Sequence, residues 1–228
     1  MLRSIIKDIC DVGVIKLLKR AVYCRRDFYM VEVDLECYKG LPVSPELSIF
    51  PINHGVISDL LEFIEPLKHY GNNAKNEINE YLKYNCEGYI AKKDNMIIGF
   101  EWFVNRYSQP VFKNPVWHFT WETYYASNAD ILLFDIFVSP EHRKGGKAVI
   151  LRTNLLINLA SKGYKTAVGF IWSNNTAAIR LCKSTGFKTI KCIPVRRIFL
   201  VFVIRGKNIS CELFKSLFYS NLIDDMKC

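Results

Sequence analysis

The sequence predicts an α/β domain built on one twisted sheet. Three observations carry that expectation. Strand-like and helix-like segments alternate from about residue 57 onward. Apolar runs rich in β-branched and aromatic residues stop at turn-forming dipeptides. A long amphipathic helix at 148–162 follows a strand through a short glycine-bearing loop, the pattern of a layered α/β fold.

In chain order, residues 4–22 set Ile5, Ile6, Ile9, Val12, Leu17 and Leu18 among Lys7, Lys16, Lys19 and Arg20. That spacing predicts an amphipathic helix weakened at Gly13. Residues 28–38 mix β-formers with polar residues and read as a strand, and 41–51, with three prolines, as a loop or short edge strand. Helical spacing over 57–84 breaks near Gly71, Asn72 and Asn73, which predicts two helices. A hairpin follows, 88–93 and 96–104 around an Asp94-Asn95 turn. A second β-rich pair is 116–125 and 129–138, stopped at Ser139-Pro140.

Val149, Leu151, Leu155, Leu156 and Leu159 mark the buried side of the 148–162 helix, which Gly163 closes. Then come a buried strand at 166–172, a short helix at 174–185, strands at 186–193 and 196–204, and a last amphipathic helix at 210–223. The expected organisation is an N-terminal basic helix and strand extension (1–42), a sheet domain (43–207) and a C-terminal helix (208–228). That last helix, with Leu213, Phe214, Leu217, Phe218 and Leu222, either docks on the sheet or makes a homodimer contact.

Composition narrows the classes. Half of the 228 residues are hydrophobic, enough for a core, and no apolar run reaches the length of a membrane span. The eight cysteines form no CxxC pair and have no His at ligand spacing, and the first 18 residues lack secretory features. A reduced, cytoplasmic protein without metal is expected. The net charge of +9 favours an anionic partner: a phosphorylated cofactor, an anionic membrane surface met by the N-terminal helix, or nucleic acid. No nucleic-acid-binding motif supports the last, so nucleic acid is not an expected partner.

Residues 135–156 (DIFVSPEHRKGGKAVILRTNLL) carry the chemistry. A strand ends, the chain turns at Pro140, and a basic loop opens a long helix. The first amides of a helix lack internal partners and sit at the positive end of its dipole. Gly145 and Gly146 let that backbone approach a ligand, and Arg143, Lys144 and Lys147 add charge. A diphosphate suits such a site; a solvated basic turn is the plainer alternative.

Arg143-Lys144-Gly145-Gly146-Lys147-Ala148, after Val138-Ser139-Pro140, resembles the (Arg/Gln)-x-x-Gly-x-(Gly/Ala) pattern of GNAT N-acyltransferases. Residues 175–187 (NTAAIRLCKSTGF) resemble that superfamily's Asn-x-x-Ala-x-x-Leu-Tyr-x-x-x-Gly-Phe, and the hairpin with Ile98-Gly99-Phe100 its second and third strands. The likeness spans roughly 57–204. It implies a mixed, mostly antiparallel twisted sheet flanked by helices, here with extra N- and C-terminal helices. It also implies a coenzyme A thioester, acetyl-CoA first, as acyl donor and a primary amine as acceptor: a small molecule, an amino sugar or a protein lysine.

By the same resemblance, the amides of Arg143, Lys144, Gly145, Gly146, Lys147 and Ala148 hold the pyrophosphate. The backbone of Ile136, Phe137 and Val138 pairs with the pantetheine arm, and an amide near Val138 polarises the thioester carbonyl. Asn175 touches the cofactor from the other side. Cys182 stands where the family usually has a Tyr that protonates the departing thiolate, so it is both a cofactor contact and a candidate proton donor. The alternative for Cys182 is a small buried core residue.

Attack by an amine needs a general base. Asp135 in LLFDIFV, Glu101 in GFEWFV and Glu122 in FTWETYY are carboxylates in apolar strands, where an unpaired charge is costly. They rank in that order, against the alternative of cross-strand ion pairs. His118, alone in an aromatic strand, reads as a hydrogen-bonded structural residue, with a base role as the alternative. Trp102, Trp117, Trp121, Tyr124 and Tyr125 read as core, or as an aromatic wall for an acceptor. Two other functions fit the residues less fully: an acyl-CoA-binding regulator without turnover, suggested by Cys182, and a longer-chain N-acyltransferase using acyl-CoA or an acyl carrier protein.

Overall fold

The computed structural model describes residues 23–40, 46–67, 74–105, 130–198, 201–204 and 207–209. The expected terminal helices and the 116–125 run, with Trp117, His118, Trp121, Glu122, Tyr124 and Tyr125, lie outside the described residues.

Among the described residues, nine strands form one sheet in the order β2-β3-β4-β5-β6-β1-β7-β8-β9. They are β1 (Tyr23–Asp34), β2 (Ser48–Pro51), β3 (Glu87–Lys93), β4 (Met96–Asn105), β5 (Ile131–Val138), β6 (Thr166–Trp172), β7 (Lys188–Ile198), β8 (Val201–Ile204) and β9 (Lys207–Ile209). Every pairing is antiparallel except β5 with β6, which is parallel. The mixed, mostly antiparallel sheet is therefore as expected. β1, which the sequence reading placed within the 1–42 extension, lies in the sheet between β6 and β7.

Among the described residues, four helices flank the sheet: α1 (Ile57–Ile64), α2 (Ala74–Lys83), α3 (Lys147–Ser161) and α4 (Thr176–Ser184). Alternation along the strands divides the core in two. Phe28, Phe100, Trp102, Phe134 and Phe137 pack with Leu60 and Ile64 of α1 and Ile78 of α2. Val31, Val33, Phe103 and Leu133 pack with Leu151, Leu155, Leu156 and Leu159 of α3. The β3–β4 hairpin turns through Asp94 and Asn95, both at positive φ (52° and 65°), as a two-residue turn joining twisted strands requires.

Two irregularities position the site. In β5, Asp135 has φ +48°, and the register with β4 jumps from Phe100↔Phe137 to Trp102↔Phe134. Asp135 and Ile136 thus share the place opposite Glu101, which is a β-bulge. Without the extra residue, Phe137 would leave the core that Leu132 and Phe134 enter. Second, the β5–β6 ladder pairs Ile131↔Ala167, Leu132↔Val168 and Leu133↔Gly169 and then stops, although the strands continue to Val138 and Trp172. Beyond Leu133 the two strands part and leave a cleft.

Gly99 pins the far end of β5. A Cβ there would lie 2.6 Å from the Phe137 carbonyl oxygen, a backbone atom that cannot step aside alone. Gly99→Ala is expected to lower stability by about 2 kcal/mol, read as a lower urea midpoint. An unchanged midpoint would mean that β4 and β5 can separate freely here.

Candidate functional site

The cleft between the parting strands encloses about 190 Å³, with Asp135, Ile136, Arg152, Asn175, Cys182 and Phe187 in its lining. Asp135 and Ile136 reach it because the bulge turns them out of the regular alternation.

From Val138 the chain passes through short 3-10 turns at Pro140–His142 and Lys144–Gly146 into α3. The Ser139 amide donates to Ile98 O (2.9 Å), and Ser139 Oγ lies 2.9 Å from His142 Nδ1. Gly145 (φ 73°, ψ 23°) and Gly146 (φ 73°, ψ 15°) are left-handed, and Lys147 returns to right-handed values (−56°, −38°). Such a change of hand turns successive amides to one side, into a concavity for an anion. No side chain caps α3 at Gly146, and its first turn carries no acid. A Cβ at Gly146 would meet nothing within 4 Å. A helix start without a side-chain cap or an acidic residue suits the pyrophosphate that the resemblance implies.

The basic side chains divide the work. Arg143 Nε donates to Val138 O (3.0 Å), and its guanidinium stands 5.6 Å from the Phe137 ring centroid, so it ties the loop to β5. Lys147 pairs with Glu46, while Lys144 is exposed. Asn175 caps α4, its Oδ1 accepting from the Ala178 amide at 3.0 Å, and so fixes the wall opposite β5.

The expected carboxylates fall into different surroundings. Asp135 is partly buried and accepts a hydrogen bond from the Tyr81 hydroxyl of α2 at 3.2 Å. The Tyr81 ring packs edge-on to Trp102 and Phe134, with centroids 5.3 and 5.2 Å away. Burial, and then the Asp135 charge, push the phenol well above its ordinary value, so Tyr81 stays a neutral donor. Glu101 has no accessible surface. Its Oε1 accepts from Arg152 Nε (2.8 Å) and Nη2 (2.5 Å), and Oε2 is buried without a hydrogen-bond partner. Arg152 lines the cleft and Glu101 does not.

Arg152 Nη1 donates to Cys182 Sγ at 3.1 Å, joining β4, α3 and α4 through one buried guanidinium. Burial raises the Glu101 carboxyl against the opposing charge of Arg152. Burial also works against the guanidinium charge, but Glu101 and Cys182 outweigh it and hold Arg152 ionised. The Cys182 thiol is pushed up by burial, with Arg152 opposing, so it keeps its proton at neutral pH. Sequence reasoning missed Tyr81 and Arg152. The only signal for Arg152 was a basic residue next to Leu151 on an otherwise apolar helix face. Among the described residues, no group of His, Cys, Asp and Glu is placed to hold a metal ion, and no helix is long and apolar enough to cross a membrane.

The family described as "Acetyltransferase (GNAT) family" matches residues 57–187. No curated protein sequence matches the chain. Among solved structures, a conserved protein of unknown function from Staphylococcus epidermidis superposes with a TM-score of 0.53 at 13% identity, covering 82% of this chain and 66% of that one. A GCN5-related N-acetyltransferase from Sphaerobacter thermophilus gives 0.52 at 12% identity, covering 83% and 57%. A glucosamine N-acetyltransferase region of a fungal multi-domain β-N-acetylglucosaminidase gives 0.54 at 13%, covering 75% and 20%. The chain thus spans less than two thirds of these proteins' lengths, and at such identities the likeness is one of fold. The family match itself covers more than half of the 228 residues, through both the basic loop and the α4 motif. The chain belongs to the GNAT acetyltransferase family.

Proposed function

We propose that the protein is an N-acyltransferase that moves an acyl group, acetyl first among them, from coenzyme A to a primary amine by direct transfer within a ternary complex. The observation that carries this reading is the uncapped, glycine-turned start of α3 beside the cleft where β5 and β6 part. Coenzyme A supplies the acyl group as an activated thioester. The amides of Gly145 to Ala148 hold its pyrophosphate, with Lys144 adding charge. The backbone of Ile136 to Val138, beyond the end of the β5–β6 ladder at Leu133, pairs with the pantetheine arm. An amide near Val138 polarises the thioester carbonyl.

Asp135 is the base that takes the amine's proton, directly or through a water. It opens on the cleft, and Tyr81 fixes its carboxylate. Glu101 belongs to a buried ion pair in this reading. The acceptor is a small amine, an amino sugar or a protein lysine, met in the cytoplasm where the donor is made.

The test combines calorimetric titration with coenzyme A and acetyl-CoA with an amine panel scored by release of free thiol. Binding of both ligands and turnover of at least one amine are expected. Asp135→Asn should lower turnover on the order of a hundredfold, with coenzyme A affinity unchanged within about twofold. A folded protein that binds neither ligand would remove the reading.

A further inference from the structure

The last residue of β5 is held by a side chain of the basic loop. The Ser139 amide donates to Ile98 O, so those two residues form a hydrogen-bonded pair that continues the β4–β5 ladder. In an antiparallel ladder such pairs alternate with pairs whose amides and carbonyls point outward. Val138, opposite Gly99, belongs to an outward pair, so its N–H and C=O face away from β4. On that side the β5–β6 ladder has already ended, at Leu133. The outward carbonyl finds its donor in Arg143 Nε, at 3.0 Å.

Arg143 is anchored a second time, by a ring. Its guanidinium stands 5.6 Å from the Phe137 centroid, and Phe137 packs in turn on Phe100 at 5.8 Å and on Phe63 of α1 at 6.1 Å. The side-on fork of Nε and Nη2 is one of the two ways a guanidinium grips a phosphate, and Nε is committed to Val138. Lys144, the next residue, stays exposed. Arg143, expected from the sequence to add charge for the pyrophosphate, is folded back onto the strand.

We propose that Arg143 serves the thioester end of the donor, through Val138, and not the pyrophosphate. The inference rests on the acyl-transfer reading above, in which an amide near Val138 polarises the thioester carbonyl. In an outward pair the N–H and C=O of a residue point to the same side, so the bond from Arg143 fixes the direction of both. The β6 ladder does this for β5 only as far as Leu133. Arg143 is thus a positioning residue: it aims the Val138 amide and answers a carbonyl that the pantetheine arm would otherwise meet unpaired.

The test needs no acceptor. The full chain is titrated by calorimetry with acetyl-CoA and with phosphoadenosine diphosphate, the nucleotide half of coenzyme A, which keeps the pyrophosphate and lacks the pantetheine arm. Arg143→Ala should weaken acetyl-CoA about five- to tenfold, the worth of one hydrogen bond, and leave the nucleotide unchanged. The nucleotide thereby also reports that the loop is intact. In Arg143→Gln the side-chain amide nitrogen lies as many bonds from the backbone as the arginine Nε, so this uncharged variant should restore acetyl-CoA binding to within about twofold. Equal losses for both ligands in Arg143→Ala, or a Gln variant as weak as the Ala one, would assign the side chain to the phosphates and overturn the inference with the cofactor reading intact. Failure of the parent to bind either ligand would overturn that reading, and the inference with it.

Discussion

Gly146→Glu abolishes coenzyme A binding while the sheet stays folded: that is the expected result, and the loop geometry sets its size. Gly146 has φ +73° and opens the uncapped start of α3, and a Cβ there meets nothing within 4 Å, so a side chain at this position fits without striking the protein. The backbone cost of a left-handed non-glycine residue is roughly 1–2 kcal/mol, seen as a melting temperature a few degrees lower. The binding cost is far larger. The carboxylate satisfies the very amides that an anion would use and repels a pyrophosphate at the same place. A loss on the order of a thousandfold follows, beyond the reach of most titrations. Gly146→Ala separates the two effects, since it carries the strain without the charge and should bind within about tenfold of the parent. If Gly146→Glu bound coenzyme A normally, the cofactor would not lie at the start of α3.

The parts of this site that could be read from sequence are those whose physics is local. Gly145-Gly146 before a helix with an apolar stripe is a short-range signal, and so is Asp94-Asn95 between two β-runs. Both are where the sequence placed them. The parts that could not be read depend on long-range meetings. The run LLFDIFV shows a polar residue in an apolar strand, but the bulge at Asp135 exists only because β4 offers one residue, Glu101, opposite two. Tyr81 meets Asp135 across 54 residues of chain, and Arg152 meets Glu101 across 51. Each of those carboxylates looked costly in isolation, which made both look like bases. The fold distinguishes them by partner: a neutral phenol at the cleft for one, a buried guanidinium for the other. β1 posed the same difficulty, since nothing within 23–34 says that it will sit between β6 and β7.

Arg152→Met should be the most destabilising single change at this site, costing about 3–5 kcal/mol at neutral pH, because it leaves a carboxylate in the core without its charge partner. The accompanying pH dependence distinguishes this cause from a simple packing defect. Burial already raises Glu101 above the ordinary carboxylate range, and Arg152 opposes that rise. With the guanidinium gone, burial acts alone and the folded-state value climbs further. Near or below the unfolded value the carboxyl is protonated in both states, and the variant loses least. As pH rises from there toward the folded value, the unfolded chain ionises and the folded one does not, so the folded state binds more protons and stability falls. Urea midpoints should therefore be higher for Arg152→Met at about pH 5 than at about pH 7.5, relative to the parent. Adding Glu101→Leu to Arg152→Met should recover most of the loss and flatten the dependence, because an apolar pair has no charge to desolvate. A pH-independent loss in the single variant would mean that water reaches Glu101 once Arg152 is gone, and that the pair is enclosed by the arginine itself and not by the sheet and α3 around it.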